Sequence, residues 1–369
     1  MNATRQLRKF GQSLWLDYIR RDLISGGELM KLMAEDGICG MTSNPTIFEK
    51  AIAETGLYDE ALTKLLRQDP ELPAGTLFER LEVADIQAAA DVLRPIFDQT
   101  NGGDGYVSIE VSPHLAYDTQ ASIAEAHRLW NEVKRPNLMV KIPATCQGMP
   151  AIEQLTADGV NVNITLMFSV AQYEAVAEAY LKGIVRTADP RRVMSVASFF
   201  VSRVDTAVDR ALEDFGSAEM LALRGKAGIA NARLAYRRFR EIFDGENFAQ
   251  MRKQGIRLQR PLWASTSTKN KAYSDVMYVE ELIGPDTVNS IPPETLKAFR
   301  DHGHPASRLG EGLAEAEDVA GTLEKQEISL TSIGQTLLEE GIEKFSKSFD
   351  SLLATLDKKK KAILHGKAA

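Results

Sequence analysis

The sequence predicts an α/β protein whose eight strands close into a single (β/α)8 barrel. Three observations predict it. Eight short apolar runs are spread along 369 residues. Stretches with helical spacing lie between them, and strands alternating with helices imply a parallel sheet. A doubly wound open sheet is the alternative, and no Gly-rich dinucleotide fingerprint follows the first run to favour it.

In chain order the strands are SLWLDYI (13–19), GICGMTSN (37–44), YVSIEVS (106–112), LMVKIPA (138–144), VNVNITLMF (160–168), RVMSVASFF (192–200), RPLWAST (260–266) and TVNSIPP (287–293). AQYEAVAEAYLKGIV and NARLAYRRFREIF carry helical spacing, and residues 45–105 and 201–259 each have room for two or three helices. Residues 305–330 are polar and Gly-rich and read as a loop. Beyond them Leu337, Leu338, Ile342, Phe345, Phe349, Leu352, Leu353 and Leu356 recur at three- and four-residue steps, so 331–365 is expected to be one long amphipathic helix capping the barrel. DKKKK (357–361) suits that helix's C-terminus, where positive charge meets the dipole. The whole of 1–369 is expected to be one domain.

Composition narrows the function. Hydrophobic residues at 44% and charged residues at 26% are ordinary for a globular chain, and no apolar run approaches the roughly 18 residues of a membrane span. MNATRQLRKFGQ has no apolar segment after its charges and does not read as a secretory signal, so the cytoplasm is expected. Cys39 and Cys146 show no metal or redox spacing and read as small core residues. A net charge of −7 argues against a nucleic-acid partner. Any anionic ligand must be met by a local positive cluster.

Strand parity then places the polar residues. In LMVKIPA, Leu138, Val140 and Ile142 share one face and Met139, Lys141 and Pro143 the other, so a lysine points where a buried strand should be apolar. In YVSIEVS the outer face takes Val107, Ile109 and Val111 and the inner face Ser108, Glu110 and Ser112. The same count sends Val160, Val162, Ile164 and Leu166 outward and Asn161, Asn163 and Thr165 inward. Asp17 falls with Trp15 and Ile19, on a strand apolar on both faces. Lys141, Glu110, Asn163, Thr165 and Asp17 therefore converge on one axis with Thr42, Asn44 and Ser198.

A structural ion pair is the plain explanation, but desolvation makes buried pairs a poor source of stability. The functional one is a Schiff-base lysine. Desolvation disfavours the ammonium form and leaves free amine to attack a carbonyl. A carboxylate must then take the proton of a neighbouring hydroxyl, and a second group must handle the water of imine formation, tasks that Asp17 and Glu110 could divide.

GMTSNPTIFEKAI (40–52), VSIEVSPHLAYDT (107–119), LMVKIPAT (138–145), VNITLMFSVAQY (162–173), ASFFVSRVD (197–205) and PLWASTSTKN (261–270) together resemble transaldolase, in that family's order and spacing. Length and the WASTSTKN segment are similar to the longer bacterial form, within the class I Schiff-base aldolase superfamily. The resemblance implies that Lys141 forms the Schiff base with a ketose phosphate and that Asp17 takes the C4 hydroxyl proton. It implies that Glu110 and Thr165 hold the catalytic water, and that Asn44, Asn163 and Ser198 bind the dihydroxyacetone unit with Thr42 and Phe200 alongside. Arg203 matches a phosphate-binding arginine. Ser267 stands where many relatives carry a second arginine, and Ser265, Ser267 and Lys269 are expected to serve the substrate there, lysine acting as a point charge rather than a bidentate fork.

The expected reaction moves a dihydroxyacetone unit from sedoheptulose 7-phosphate or fructose 6-phosphate to an aldose phosphate, in the non-oxidative pentose phosphate pathway. No cofactor and no metal are expected, the partners are small sugar phosphates, and the chain is expected to be a monomer or homodimer. Some relatives are fused to a glucose-phosphate isomerase; with nothing after Ala369, that activity is not expected. A fructose 6-phosphate aldolase is the neighbouring alternative, but such relatives typically carry tyrosine at the place of Glu110. A sugar-phosphate-binding barrel without chemistry is the third, and an intact Lys141, Asp17 and Glu110 set counts against it.

Three further motifs read plainly. His302 and His304 of DHGH lack a visible third metal ligand and read as a loop. Trp15, Trp130 and Trp263 read as core or pocket wall. Gly102-Gly103-Asp104-Gly105 precedes a strand rather than a helix, so it reads as a turn and not as a phosphate cradle.

Overall fold

The computed structural model describes residues 2–365. Eight parallel strands close into a barrel in sequential order. They are β1 (Gln12–Asp17), β2 (Ile38–Thr42), β3 (Tyr106–Glu110), β4 (Leu138–Pro143), β5 (Val162–Met167), β6 (Ser195–Phe200), β7 (Arg260–Ala264) and β8 (Thr287–Ile291). The principal helices around them are α1 (Glu28–Asp36), α2 (Pro45–Ala53), α3 (Asp59–Gln68), α4 (Ala74–Gln99), α5 (Thr119–Val133), α6 (Gly148–Ala157), α7 (Val170–Ile184), α8 (Ser202–Phe215), α9 (Ala227–Phe243), α10 (Glu246–Lys253), α11 (Pro293–His302), α12 (Leu313–Lys325) and α13 (Leu330–Leu364). No helix among the described residues is long and apolar enough to cross a membrane.

Alternation along the strands builds two cores. Val107, Ile109, Leu138, Val140, Ile142, Val162 and Ile164 pack outward against the helices. Trp15, Tyr106, Met139, Val196, Leu262 and Val288 fill the barrel. The barrel floor is closed by Asp104 of the GGDG turn, which accepts a 2.7 Å hydrogen bond from Trp15 Nε1 and another from Ser13, and stands 3.6 Å from Arg260. That turn therefore seals the end of the barrel opposite the strand C-termini. Gly40 makes room for Trp15, because a Cβ there would lie 2.5 Å from the indole ring.

Parity fails at two places for the same reason: a strand ended or broke where the count assumed it ran on. Ile19 lies beyond the end of β1 and packs in the outer core, not with Asp17. Leu166 was expected to face outward, yet it belongs to the interior cluster. Its backbone is left-handed (φ 57°), and the β5–β6 register shifts between Ile164 and Met167. A leucine in that region is strained. The irregularity turns Leu166 toward the capping helix immediately after Thr165.

Two other expectations are corrected. The loop expected over 305–330 contains α12, whose Ala316, Val319 and Leu323 are buried at helical spacing against α9. Its glycines and glutamates masked that short apolar stripe. Cys146 is exposed, because it lies past the end of β4 where strand alternation no longer buries a residue, and Cys39 is half-buried.

The capping helix α13 matches the expected stripe, with Leu337, Leu338, Ile342, Phe345, Leu352 and Leu356 buried. It crosses β5, α2, α4 and α8 at the strand C-terminal ends. Gly334 and Gly341 bring its backbone down: added Cβ atoms would sit 2.9 Å from Ser169 and 2.8 Å from Leu166. At its far end Lys359 Nζ binds Asp59 Oδ1 at 2.7 Å and Lys360 Nζ donates to the Leu72 carbonyl. The lysine run thus pins the helix as well as meeting its dipole.

Candidate active site

Register lines up the polar residues. Glu110 pairs with Lys141 across β3–β4, and Lys141 with Asn163 across β4–β5, so three inward side chains share one row. Asp17 stands beside Thr42 across β1–β2. All lie near the strand C-terminal ends, where barrel chemistry is found.

Lys141 is 5% exposed. Its Nζ donates to the Ser43 carbonyl at 2.9 Å and to Glu110 Oε2 at 3.0 Å. Two acceptors leave the third ammonium position directed at the remaining site. Burial pushes the Glu110 carboxyl above its ordinary value, against the pull of Lys141. Burial likewise raises Asp17, again opposed by Lys141 and by the 2.8 Å hydrogen bond from Thr42. Both acids are thereby moved toward the range where a carboxyl can give and take protons. Thr42 Oγ1 also meets Ser290 Oγ at 2.6 Å.

A second network fixes the wall. Ser198 donates to Asn163 Oδ1 at 2.7 Å, and Asn163 Nδ2 donates to Ser108 Oγ at 3.0 Å. Thr165 Oγ1 is buried without a hydrogen-bond partner among the described residues. A buried hydroxyl left so is costly unless something else binds it. Asn44 is the N-cap of α2, its Oδ1 accepting from Ile47 N at 3.0 Å with Pro45 at the first helical position. That cap, a feature typically contributing about 1 kcal/mol, orients the side chain toward the cavity.

A cavity of about 270 Å3 opens over these groups. Of the residues singled out from sequence, Lys141, Asp17, Thr165, Thr42, Asn44, Ser198, Phe200, Arg203, Ser265, Ser267 and Lys269 line it. Glu110 and Asn163 do not line it; they stand behind, bonded to Lys141 and Ser198. Arg203, in the first turn of α8, lies over the Phe200 ring at 5.4 Å, and Phe200 packs on Phe168. Ser265 is left-handed (φ 56°) and meets Ser202 at 2.8 Å, a strained turn that sets the loop carrying Ser267 and Lys269. Lys269 Nζ donates to Ser267 Oγ at 2.6 Å.

Sequence reasoning missed Thr46, Lys50, Ser290, Glu294, Lys344 and Phe345, which also line the cavity. Ser290 was available from parity on β8, two residues along from the inward Val288. Lys344 had no such signal, since a helix stripe reports only which face is apolar. His302 ends α11 and is held by Asp275 at 2.8 Å, on a helix rather than in the expected loop. No group of three or more metal-ligating side chains occurs among the described residues.

A (β/α)8 barrel with a buried lysine bonded to one carboxyl group and a second carboxyl in the same cavity at its strand C-terminal ends is the architecture of an enzyme. The chain belongs to the transaldolase/fructose-6-phosphate aldolase family, whose pattern matches residues 14–356. It is 46% identical over 360 residues to a transaldolase of Thiobacillus denitrificans, covering 96% of this chain and all of that one. It is 44% identical to transaldolase 2 of a Nostoc species, covering 98% and 99%, and 44% identical to a transaldolase of Mycolicibacterium smegmatis, covering 93% of each.

Proposed function

We propose that the chain is a transferase that carries a dihydroxyacetone unit from sedoheptulose 7-phosphate or fructose 6-phosphate to glyceraldehyde 3-phosphate or erythrose 4-phosphate. The observation that carries this is the cavity's polarity from floor to mouth. A buried lysine lies at the floor beside two acids of raised pKa, and Arg203 with Lys269 stands toward the opening. A ketose phosphate has the same order, carbonyl near one end and dianion at the other.

In this reading Lys141 Nζ attacks the C2 carbonyl, and the carbinolamine loses water with Glu110 and Thr165 positioning it. The iminium accepts the electron pair of the C3–C4 bond as Asp17 takes the C4 hydroxyl proton, and the aldose phosphate leaves. The enamine stays on Lys141, held at its hydroxyls by Asn44 and Ser198, the latter fixed from behind by Asn163, with Thr42 and Phe200 alongside. An incoming aldehyde reforms the bond, Asp17 returns the proton, and water held by Glu110 and Thr165 releases the product. Lys141 is itself the electron sink, so no cofactor is required. Ser265, Ser267 and Lys269 serve the phosphate end with Arg203. The reaction belongs to the non-oxidative pentose phosphate pathway in the cytoplasm, carried out by the whole chain as one domain in a monomer or homodimer.

Release of glyceraldehyde 3-phosphate from fructose 6-phosphate, with and without erythrose 4-phosphate, tests the reading. Steady turnover that requires acceptor, with release stopping near one equivalent per site in its absence, supports transfer. Steady release without acceptor means an aldolase, and no release in either case means a barrel without this chemistry.

A further inference from the structure

Besides Lys141, four cationic side chains line the active cavity: Lys50 on α2, Arg203 on α8, Lys269 after β7 and Lys344 on α13. None of the four has an ion-pair partner among the described residues. This is unusual for the surface around them. One turn further along α13, Lys347 pairs with Glu343, and Lys359 pairs with Asp59. Asp17 and Glu294 also line the cavity and Glu340 acts on Arg203, but among the described residues no carboxylate pairs with any of the four, and like charges so gathered are costly unless a dianion joins them.

We propose that Lys344, delivered by the capping helix, is the second cation that clamps the substrate phosphate with Arg203. The proposal rests on the ketose-phosphate reading of this site and names the group that takes the place of the arginine missing at Ser267. Its geometry comes from the helix backbone. Gly341 sits so close to β5 and α8 that an added Cβ would stand 3.4 Å from Arg203 Nη1. Lys344 follows three residues later on the same helix face, one turn along. Its neighbour Phe345 is buried and lines the same cavity, which fixes the side of the helix that faces in. The helix is held at this height by the close contacts of Gly334 and Gly341 and by the 2.9 Å hydrogen bond between Thr46 and Ser348.

Partial burial and the charges of Arg203, Lys269 and Lys50 lower the Lys344 pKa, as expected of an ammonium lacking its counter-ion. Lys269 Nζ donates one hydrogen bond to Ser267 and serves the same phosphate end from the loop after β7. The recognition of donor and acceptor phosphate thus depends on the cap, not on the barrel alone.

The test uses the full chain and the variants Lys344→Gln, Lys344→Arg and Lys347→Gln. Inorganic phosphate binding is followed by 31P NMR titration, and kcat and KM are measured for fructose 6-phosphate with saturating erythrose 4-phosphate. Lys344→Gln is expected to weaken phosphate binding and raise KM by about tenfold or more, with kcat within about twofold; tenfold corresponds to about 1.4 kcal/mol. Lys344→Arg should recover most of both, and Lys347→Gln should change neither. Unchanged phosphate affinity in Lys344→Gln overturns the proposal, as does a loss of kcat and melting temperature without a KM effect, which would mark a packing role. The phosphate titration needs no turnover, so it decides the proposal even if the enzyme proves not to transfer dihydroxyacetone.

Discussion

Replacing Lys141 by Met tests whether the Lys141–Glu110 pair is kept for chemistry at the expense of stability. The two side chains are each 6% exposed and 3.0 Å apart. Removing the ammonium leaves Glu110 buried with no cation and takes a donor from the Ser43 carbonyl. Breaking one partner of a buried pair costs about 3–5 kcal/mol when the remaining charge stays ionised. Glu110 escapes part of that cost by binding a proton, since burial already raises its pKa even with Lys141 present. The sign follows from linkage. A carboxyl whose folded pKa lies above its unfolded value binds more protons when folded, so its contribution is greatest at low pH and is lost as pH rises through the folded pKa. Lys141→Met should therefore be destabilised by about 3 kcal/mol at about pH 8 and by clearly less at about pH 5.5. Adding Glu110→Gln should recover most of the loss at the higher pH. Urea unfolding of the wild type, the single variant and the double variant at both pH values measures this. A Lys141→Met protein as stable as wild type at the higher pH, or no recovery in the double variant, would refute the coupling.

Glu110→Gln alone preserves the shape and should lower turnover by about 100-fold or more with the fold intact; an unchanged rate means that water is activated elsewhere. Asp205 accepts from Gly228 N and Tyr278 Oη, and burial pushes its pKa up to about 6. Its stabilising effect is present below its ordinary pKa and lost as pH rises through about 6, so the melting-temperature advantage of wild type over Asp205→Asn should shrink between about pH 4 and pH 8. Parallel melting profiles would contradict that. Gly40→Ala would drive a Cβ into the Trp15 indole, so a loss of about 1–3 kcal/mol in urea unfolding is expected, and a neutral result would mean Trp15 can move off the barrel axis. Gly341→Val should lift α13 off Leu166 and Arg203 and raise KM for the phosphorylated donor more than it lowers kcat; equal stability and equal KM would show that the close approach does not position the cap.

How far the site could be read from sequence depended on which periodicity carried each residue. Lys141, Glu110, Asn163 and Thr165 sit inside strands, and the period of two delivered the first three to one row and Thr165 to the next, level with Pro143. The count broke at Leu166, where a left-handed residue shifts the register, and no sequence pattern marks a leucine that will adopt such a backbone. The α13 stripe was plain because eight apolar residues recur along it, whereas α12 buries only Ala316, Val319 and Leu323, in a sequence broken by glutamates and Gly321. Lys344 and Lys50 reach the cavity through helix-on-barrel packing, a long-range placement that the local pattern of α13 or α2 cannot express. Asp104 shows the same limit: its turn was legible, but its role under Trp15 and Arg260 depends on residues from two other strands, β1 and β7.

The most direct test of the central claim is borohydride trapping with fructose 6-phosphate, followed by peptide mass spectrometry. One reduced three-carbon adduct is expected, on Lys141, and none in Lys141→Met. Lys50, Lys269 and Lys344 share the same cavity and serve as internal controls. An adduct on any of those lysines, or none on a protein that still turns over, would contradict a Schiff base at Lys141.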